Sequence, residues 1–311
     1  MLLIYFVKLD KNIKTMYSIS IYTNTLYLTM KNKRKTLFDK NLADIKNAIS
    51  EKKVYKYREL TDVLNVLKKD SRVAQSMSSS AFMVKLQEQL HLKTYTVVSD
   101  KIKQERYSLF DITIYEFVNS LTPRTFFSMT TALNLMGASN FRSKFIFYSQ
   151  EQKKKHYKPS KITQEAIDNA YKKDYRYTKS TADYESHHLV LLMPKFSGEV
   201  GVEKHNGFNI SSVNRALAEI LINIQYFKGF KEVIKEFKGI KDRIDINEVY
   251  KVIKAFDLIY PYFQLLGFAL NQIGFHHSEL DIFKKQVSEF DFYTEKNKSR
   301  YRYDEYWRIY Y

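Results

Sequence analysis

Residues 76–90 have the sequence SMSSSAFMVKLQEQL. Phe82, Met83, Leu86 and Leu90 recur at the spacing of one helical face. The serines before them suit a helix start, because a serine hydroxyl accepts a hydrogen bond from a backbone N–H of the first turn. The pattern therefore predicts a capped helix over 79–90. Its outward residues are predicted to be Lys85, Gln87, Glu88 and Gln89.

Two amphipathic segments precede this helix. Leu42, Ile45 and Ile49 predict a helix over 41–51, and the apolar residues of 60–67 predict a second one. After the helix, residues 93–98 are β-prone, 99–105 are a polar and basic turn, and 106–108 can return as a strand. Three helices followed by a hairpin is the order of a winged helix-turn-helix, which we place at residues 40–110. The alternative is a small helical and β domain whose lysines are simply solvated.

The residue types of this domain suit DNA. Lysine and glutamine side chains can hydrogen-bond base edges, and serines at a helix N-terminus favour phosphate. The residues of the predicted helix and its cap that we expect to contact DNA are Ser78, Ser79, Ser80, Lys85, Gln87 and Gln89. The predicted phosphate contacts are Lys52 and the two wing residues Lys101 and Lys103.

The distribution of charge agrees with that prediction. The chain of 311 residues has a formal net charge of +17. Residues 31–110 contain 18 lysines and arginines against 9 aspartates and glutamates, a net charge of +9, whereas residues 111–311 contain 30 against 24, a net charge of +6. Such an excess favours polyanionic partners. An AT-rich genome would also produce a basic chain, but it would spread the charge evenly.

The N-terminal residues 1–39 are expected to be an extension of the domain. Residues 30–34, MKNKR, resemble a natural start with a basic arm, so Met30 is a candidate initiator. The apolar run at 2–7 is too short for a membrane span, and no secretion signal is supported. Because the chain has no cysteine, thiolate metal sites, thiol nucleophiles and disulfides are excluded. We expect a cytoplasmic protein without membrane association.

The remaining residues, 111–311, alternate between helical and strand-like patterns without a repeat, which predicts a larger mixed α+β domain. Among these patterns are a helix over 124–136 and a hairpin turn at Asn206-Gly207. They contain no Gly-rich phosphate loop, no His-Glu-x-x-His and no Gly-x-Ser-x-Gly. Two pairs of adjacent histidines occur, at 187–188 and 276–277. Neighbouring side chains point to different faces of a helix or strand, so neither pair is placed to chelate one metal ion. We therefore expect no catalytic residue, metal or cofactor. The enzyme alternative is a metal-dependent nuclease or nucleotide-transfer enzyme using Asp168, Asp174, Asp183 and Glu185.

Four segments of the chain carry spaced motifs: SMTTALNLMGA at 128–138, QEAIDNAY at 164–171, VNRALAEI at 213–220, and YPYFQLLGF at 260–268 with the closing WRIY at 307–310. Together they resemble the AbiEi-type antitoxins and transcriptional regulators of bacterial abortive-infection operons. The likeness spans about residues 40–311 as spaced motifs. One departure concerns the paired glycines that often follow the arginine-containing helix, where this chain has only Gly229.

The resemblance implies a winged N-terminal domain that binds inverted repeats in operator DNA and represses its own operon. It also implies a C-terminal domain that counteracts a nucleotidyltransferase-like toxin, directly or functionally. An antitoxin that acts purely by binding protein is a further alternative. The motif residues carried over are Arg215, Glu219, Tyr260, Tyr262 and Gln264. On their chemistry alone, Arg215 and Glu219 form a helical i,i+4 ion pair, the aromatic residues belong to a core, and Gly267 permits close approach of another element.

Overall fold

The computed structural model describes residues 35–99, 103–139, 143–155 and 161–311. These residues form two compact units, the first ending at Leu92 and the second running from Lys93 to Tyr311. The expectations for Met30 and Lys101 lie outside the described residues. The fold class is α+β, as predicted.

The first unit is helical. It contains α1 (Leu37–Lys40), α2 (Leu42–Ser50), α3 (Tyr57–Lys69) and α4 (Ser79–Leu90). Their apolar stripes meet in a core that includes Phe38, Ile45, Leu64, Phe82 and Leu86, all at most 1% exposed. The three predicted helices are present, and α4 has the predicted bounds. The short helix α1 lies in the segment that we assigned to the extension.

The second unit is built on an eight-stranded sheet. Its strands are β1 (Lys93–Val98), β2 (Lys103–Ser108), β3 (Phe126–Phe127), β4 (Phe145–Ser149), β5 (Thr181–Tyr184), β6 (His187–Leu192), β7 (Val202–His205) and β8 (Phe208–Ser211). The order across the sheet is β2-β1-β5-β6-β4-β3-β8-β7. The β4–β6 and β3–β8 pairs are parallel and the others antiparallel.

The hairpin β1–β2 was predicted as the wing of the N-terminal domain. It forms as an antiparallel pair, but its second strand begins at Lys103, within the segment 99–105 that we expected to be the turn. The strand β1 also pairs with β5, where Val98 lies opposite Asp183. The hairpin is therefore an edge of the large sheet. This pairing places the boundary between the two units at Leu92 instead of near residue 110.

Eight helices of the second unit are described. They are α5 (Ile114–Leu121), α6 (Met129–Leu135), α7 (Gln164–Lys172), α8 (Val213–Ile222), α9 (Phe230–Lys238), α10 (Ile246–Phe256), α11 (Tyr262–Ile273) and α12 (Asp281–Lys284). Three single 3₁₀ turns cover Ile224–Tyr226, Lys241–Arg243 and His277–Glu279. The core lies around α8. A small sheet of β9 (Phe292–Tyr293), β10 (Tyr303–Asp304) and β11 (Ile309–Tyr310) has β11 in the centre, parallel to β9.

Two local predictions have opposite outcomes. The Asn206-Gly207 turn is confirmed, since both residues have positive φ values, 47° and 83°, and join β7 to β8. The single helix expected over 124–136 is wrong in its first part, because the buried Phe126 and Phe127 form β3 between β4 and β8. Only the later residues form a helix, α6.

Candidate functional site

The N-terminus of α4 is capped by serine as predicted. Ser78 has an extended backbone, and its Oγ accepts a hydrogen bond of 3.1 Å from the Ala81 N–H. A second contact joins the hydroxyls of Ser78 and Ser80 at 3.0 Å. Ser78, Ser80 and Ala81 are exposed, and Ser79 is half-buried. The first turn of α4 therefore presents backbone N–H groups and hydroxyls to solvent, a combination that binds phosphate in many proteins.

One face of α4 points away from the helical core. It carries Ser80, Val84, Gln87 and Glu88, all exposed, and Val84 is 49% exposed. Residues three and four apart on a helix are neighbours, so these side chains form one continuous stripe. Gln87 is the group on this stripe that can donate to and accept from an adenine edge. Its predicted outward position is confirmed.

Lys85 and Gln89 do not lie on that stripe. Both donate to the same carboxylate oxygen, Asp39 Oδ1, at 3.2 Å and 2.9 Å. The Lys85 ammonium also lies 5.0 Å from the centre of the Phe38 ring. Because positions 82, 85, 86 and 89 share one helical face, both side chains point at the core side of the unit. The outward position predicted for these two residues is wrong.

Asp39 is the group that organises this contact. It caps α1, where its carboxylate accepts from the Thr36 N–H at 2.8 Å. The Gln89 amide, followed by the contacts with Thr36 and Lys85, holds the pKa of Asp39 well below its ordinary value. The carboxylate is thus ionised at neutral pH and fastens α1 to α4. Lys85 and Gln89 are positioning residues for the helix.

Two of the predicted phosphate-binding lysines, Lys52 and Lys103, lie on the surface, each beside a carboxylate. Lys52 Nζ lies 2.6 Å from Glu59 Oε1 in the first unit, and its side chain is 50% exposed. Lys103 Nζ lies 2.6 Å from Glu105 Oε1 in the second unit, and its side chain is 63% exposed. Exposed pairs of this kind contribute little to stability and exchange readily. Either lysine can therefore turn to a phosphate.

The second unit contains a buried charge cluster on α8. Arg215 Nε lies 2.7 Å from Glu219 Oε1, so the predicted i,i+4 pair is present. Arg215 is fully buried, however, and its Nη2 also lies 3.1 Å from Glu151 Oε1. The rings of Phe126 and Phe256 flank the guanidinium at 4.7 Å and 5.1 Å. Since the pair is desolvated, the roughly 0.2–0.5 kcal/mol that an exposed i,i+4 pair contributes does not apply to it.

The remaining polar groups of the cluster are also satisfied. Arg215 Nη1 donates to the Val200 carbonyl at 2.7 Å and to Ser197 Oγ at 3.1 Å. Glu219 Oε2 accepts from Ser211 Oγ at 2.8 Å and from the Met129 N–H at 3.2 Å. These hydrogen bonds tie α8 to the loop between β6 and β7, to β8 and to α6. The cluster thus holds strands and helices of the unit around one helix.

Glu151 is the member of the cluster that the sequence did not reveal. Burial raises the pKa of its carboxyl, but hydrogen bonds from the Ser197 hydroxyl and N–H, the Glu199 N–H, and the charge of Arg215 together lower it below its ordinary value. Glu151 follows β4 and lies 64 positions from Arg215 along the chain. No local pattern links the two residues, so only the fold brings them together.

Gln264 is also a structural residue. It is fully buried in α11, and its amide donates to the carbonyls of Phe290 at 3.0 Å and Trp307 at 3.2 Å. Its carbonyl accepts from the Ser288 N–H at 2.8 Å. Trp307 packs fully buried against Gly267, which confirms the predicted close approach. The two segments 260–268 and 307–310 are therefore two halves of one packing contact.

Tyr260 and Tyr262 stand at the start of α11 and are half-buried. Their rings pack on Phe292 of β9, with centroid distances of 6.1 Å and 5.4 Å. Both residues also line a cavity of about 210 Å³. Unlike Gln264, they present part of their rings to open space.

The carboxylates considered for a nuclease site do not form one cluster. Asp168 accepts from Gln164 Nε2 at 2.8 Å and from the Tyr293 hydroxyl at 3.0 Å, whereas Asp183 pairs with His188 Nδ1 at 2.6 Å. Among the described residues, no group of three or more histidines and carboxylates is placed to hold a metal ion. Within the same part of the chain, no helix is both long and apolar enough to cross a membrane.

Comparison with known proteins identifies a similar fold. No family model and no curated protein matches the chain. Among solved structures, the chain is similar to the RV2827C protein from Mycobacterium tuberculosis, with a TM-score of 0.51 and 8% sequence identity. The match covers 85% of this chain and 87% of the mycobacterial one. At this identity the similarity establishes a shared α+β fold, and nothing about activity.

Proposed function

We propose that the protein is a DNA-binding transcriptional regulator in which α4 is the recognition helix of a winged helix-turn-helix. The observation that carries this proposal is the serine-capped first turn of α4, which opens to solvent and continues into a polar stripe ending at Gln87 and Glu88. The surrounding unit is basic, with 11 lysines and arginines against 7 aspartates and glutamates over residues 35–92. DNA-reading helices in this class insert their N-terminal half into the major groove.

The proposed roles differ among the residues. Ser78, Ser79 and Ser80 bind a phosphate with the helix N-terminus, and Gln87 contacts a base edge. Lys52, Lys101 and Lys103 neutralise phosphates. Lys85 and Gln89 support binding indirectly, since their contact with Asp39 fixes the orientation of α4.

The biological role that we propose is that of a cytoplasmic antitoxin and autorepressor. It binds inverted repeats upstream of its own operon and counteracts a nucleotidyltransferase-like toxin. This part of the proposal is supported by the resemblance of the four segments to AbiEi-type regulators. The residues of those segments contact one another around α8 and α11, so the resemblance concerns the core of the second unit.

Fluorescence-anisotropy titration of the full chain against the DNA upstream of its gene tests the regulator. We expect specific binding with a steep decrease in affinity as salt is raised, because several phosphates are neutralised. Gln87→Ala should reduce specific affinity by about 1–3 kcal/mol, whereas nonspecific binding should remain. Asn47→Ala, at an exposed position of α2 outside the proposed contacts, is the matched control and should bind as the parent does. Equal effects of the two changes, or binding insensitive to salt, would contradict the assignment.

Co-expression tests the antitoxin role separately. We expect growth inhibition by a nucleotidyltransferase-like protein encoded next to this gene to be relieved by the full chain. Relief by a Gln87→Ala chain expressed from an independent promoter would show that neutralisation does not need operator binding. Toxicity that persists with well-expressed, folded chain would contradict the antitoxin role while leaving the regulator intact.

A further inference from the structure

A cavity of about 210 Å³ lies within the second unit, between the end of α7, the end of α8 and the start of α11. Four tyrosines form much of its wall: Tyr171, Tyr175, Tyr260 and Tyr262. Two cationic residues, Arg176 and Lys296, and the hydroxyl-bearing Thr294 complete the polar part of the lining. Tyr260 and Tyr262 are residues that the proposed DNA binding does not use.

The aromatic wall is held in place from behind. Phe292, which is fully buried, contacts Tyr171 edge-on at 5.2 Å and Tyr262 edge-on at 5.4 Å, and it stacks on Tyr260 at 6.1 Å. Tyr171 is also stacked on Tyr293 at 4.9 Å. Because these rings are already ordered, a ligand that packs on them loses little free energy to side-chain ordering.

The rim of the cavity is positively charged. The Lys296 ammonium lies 5.5 Å from the centre of the Tyr175 ring. Burial, and then the neighbouring charges of Arg176 and Lys173, lower the pKa of Lys296, although Asp174 opposes them. No carboxylate is among the lining residues, and within the described part of the chain none pairs with the Arg176 guanidinium. The cavity therefore attracts an anion.

Thr294 supplies an unsatisfied hydrogen-bonding group. Its side chain is 2% exposed, and its Oγ1 has no hydrogen-bond partner among the described residues. A buried hydroxyl without a partner is unfavourable, so most are paired with protein, water or ligand. Because Thr294 is also one of the lining residues, rotation about its Cα–Cβ bond can turn this hydroxyl toward the polar edge of a planar ring.

The size of the cavity limits the ligand. Its volume of about 210 Å³ is below the ~300 Å³ of the smallest drug-sized pockets. One planar heterocyclic base enters, and its charged substituent stays at the rim. We propose that this cavity binds a nucleoside 5′-monophosphate, with the base against the tyrosines and Thr294 and the phosphate at Arg176 and Lys296. The site lies wholly in the second unit and does not depend on DNA binding by the first.

Isothermal titration calorimetry of the full chain with AMP, GMP, CMP and UMP tests this proposal. We expect saturable binding of at least one mononucleotide, and at least tenfold weaker binding of its nucleoside and of inorganic phosphate. Arg176→Ala should weaken binding about tenfold, because a charge-assisted contact is lost. Arg243→Ala, an exposed arginine outside the lining, should leave the affinity unchanged. Thr294→Val should weaken binding roughly three- to tenfold through loss of one hydrogen bond.

Three results would overturn the proposal. The first is the absence of saturable binding by all four mononucleotides at millimolar concentration. The second is equal affinity for inorganic phosphate and the nucleotide, which would show that the positive charge alone binds the ligand and that the base contributes nothing. The third is binding that Arg176→Ala leaves unchanged. If Thr294→Val does not fold, Arg176→Ala decides the outcome, since Arg176 is exposed and its replacement leaves the core intact.

Discussion

The indole ring of Trp307 occupies the space beside Gly267 so closely that no side chain fits there. A Cβ atom at position 267 would lie 2.2 Å from Cζ3 and 2.5 Å from Cη2 of the ring. Trp307 is fully buried and cannot move aside without opening the core. This contact fixes α11 against the closing residues of the chain, and it makes position 267 intolerant of any larger residue.

The first prediction concerns this contact. Gly267→Ala should lower the free energy of unfolding of the second unit by about 3 kcal/mol or more, at the upper end of overpacking costs. Trp307 is the one tryptophan of the chain, so urea unfolding followed by its fluorescence reports on this unit. Gly239→Ala is the matched control, because Gly239 has helical backbone angles and its nearest neighbour would be 3.3 Å away. Equal urea midpoints for the two variants would contradict the prediction.

The second prediction concerns the buried arginine. Arg215→Met should destabilise the second unit by about 3–5 kcal/mol, since it leaves the carboxylates of Glu151 and Glu219 buried without their partner. Arg243→Met, at an exposed position, should change stability by less than about 0.5 kcal/mol. Urea unfolding monitored by Trp307 fluorescence measures both. An Arg215→Met variant as stable as the parent would show that the cluster does not hold the unit together.

The third prediction concerns pH. The pKa of Glu151 is lower in the folded chain than its ordinary value of 4.5, so the ionised carboxylate stabilises the fold at neutral pH. That stabilisation is present above pH ~4.5 and is lost as the pH falls through the lower folded pKa. Glu151→Gln should therefore lose less stability between about pH 5 and pH 3 than the parent chain. Parallel pH profiles of the urea midpoint would contradict this role.

The fourth prediction separates Gln89 from Gln87. Gln89→Ala should destabilise α4 by about 1 kcal/mol, the usual contribution of a hydrogen bond, because its amide bonds Asp39. Gln87→Ala, on the exposed face, should change stability by less than about 0.5 kcal/mol. Hydrogen exchange of peptides covering residues 79–90 measures the difference. Faster exchange in the Gln87→Ala variant than in the Gln89→Ala variant would reverse the assignment of the two faces.

The fifth prediction concerns the boundary between the units. A chain of residues 93–311 should fold with native Trp307 fluorescence, because it keeps the whole eight-stranded sheet. A chain of residues 111–311 should aggregate, since removal of β1 exposes the edge of β5. Size-exclusion chromatography and fluorescence distinguish them. A monomeric and stable 111–311 chain would show that the hairpin is dispensable for the sheet.

Local patterns predicted the helices well and the strand pairing poorly. The stripe Phe82, Met83 and Leu86 was enough to give α4 its bounds, because helical contacts lie within a few residues of one another. The pairing of β1 with β5 joins Val98 to Asp183, far apart in sequence. Nothing in either strand specifies the other, so the hairpin was assigned to the nearer unit.

The candidate sites show the same limit. Gln87 was correctly placed outward, whereas Lys85 and Gln89 were judged by polarity and not by helical position. Lys85 and Gln89 follow Phe82 by three and seven positions, a spacing that places them on the same side of the helix as this buried ring. Glu151 had no detectable signal, since its role depends on the register of β4 and on α8. The tyrosine cavity combines residues from four segments, and only the fold assembles it.

The central position of β11 has a consequence for synthesis of the protein. Residues 303–311 supply β10, Trp307 and the strand that joins β9 to β10, so the part of α11 that Trp307 covers at Gly267 stays open until they leave the ribosome. The nascent second unit therefore closes its core late, although most of its helices emerge earlier. During that interval the incomplete chain exposes surface that chaperones and proteases recognise. A messenger RNA truncated before the codon for residue 303 should therefore yield a protein that is degraded, and not a partly active protein.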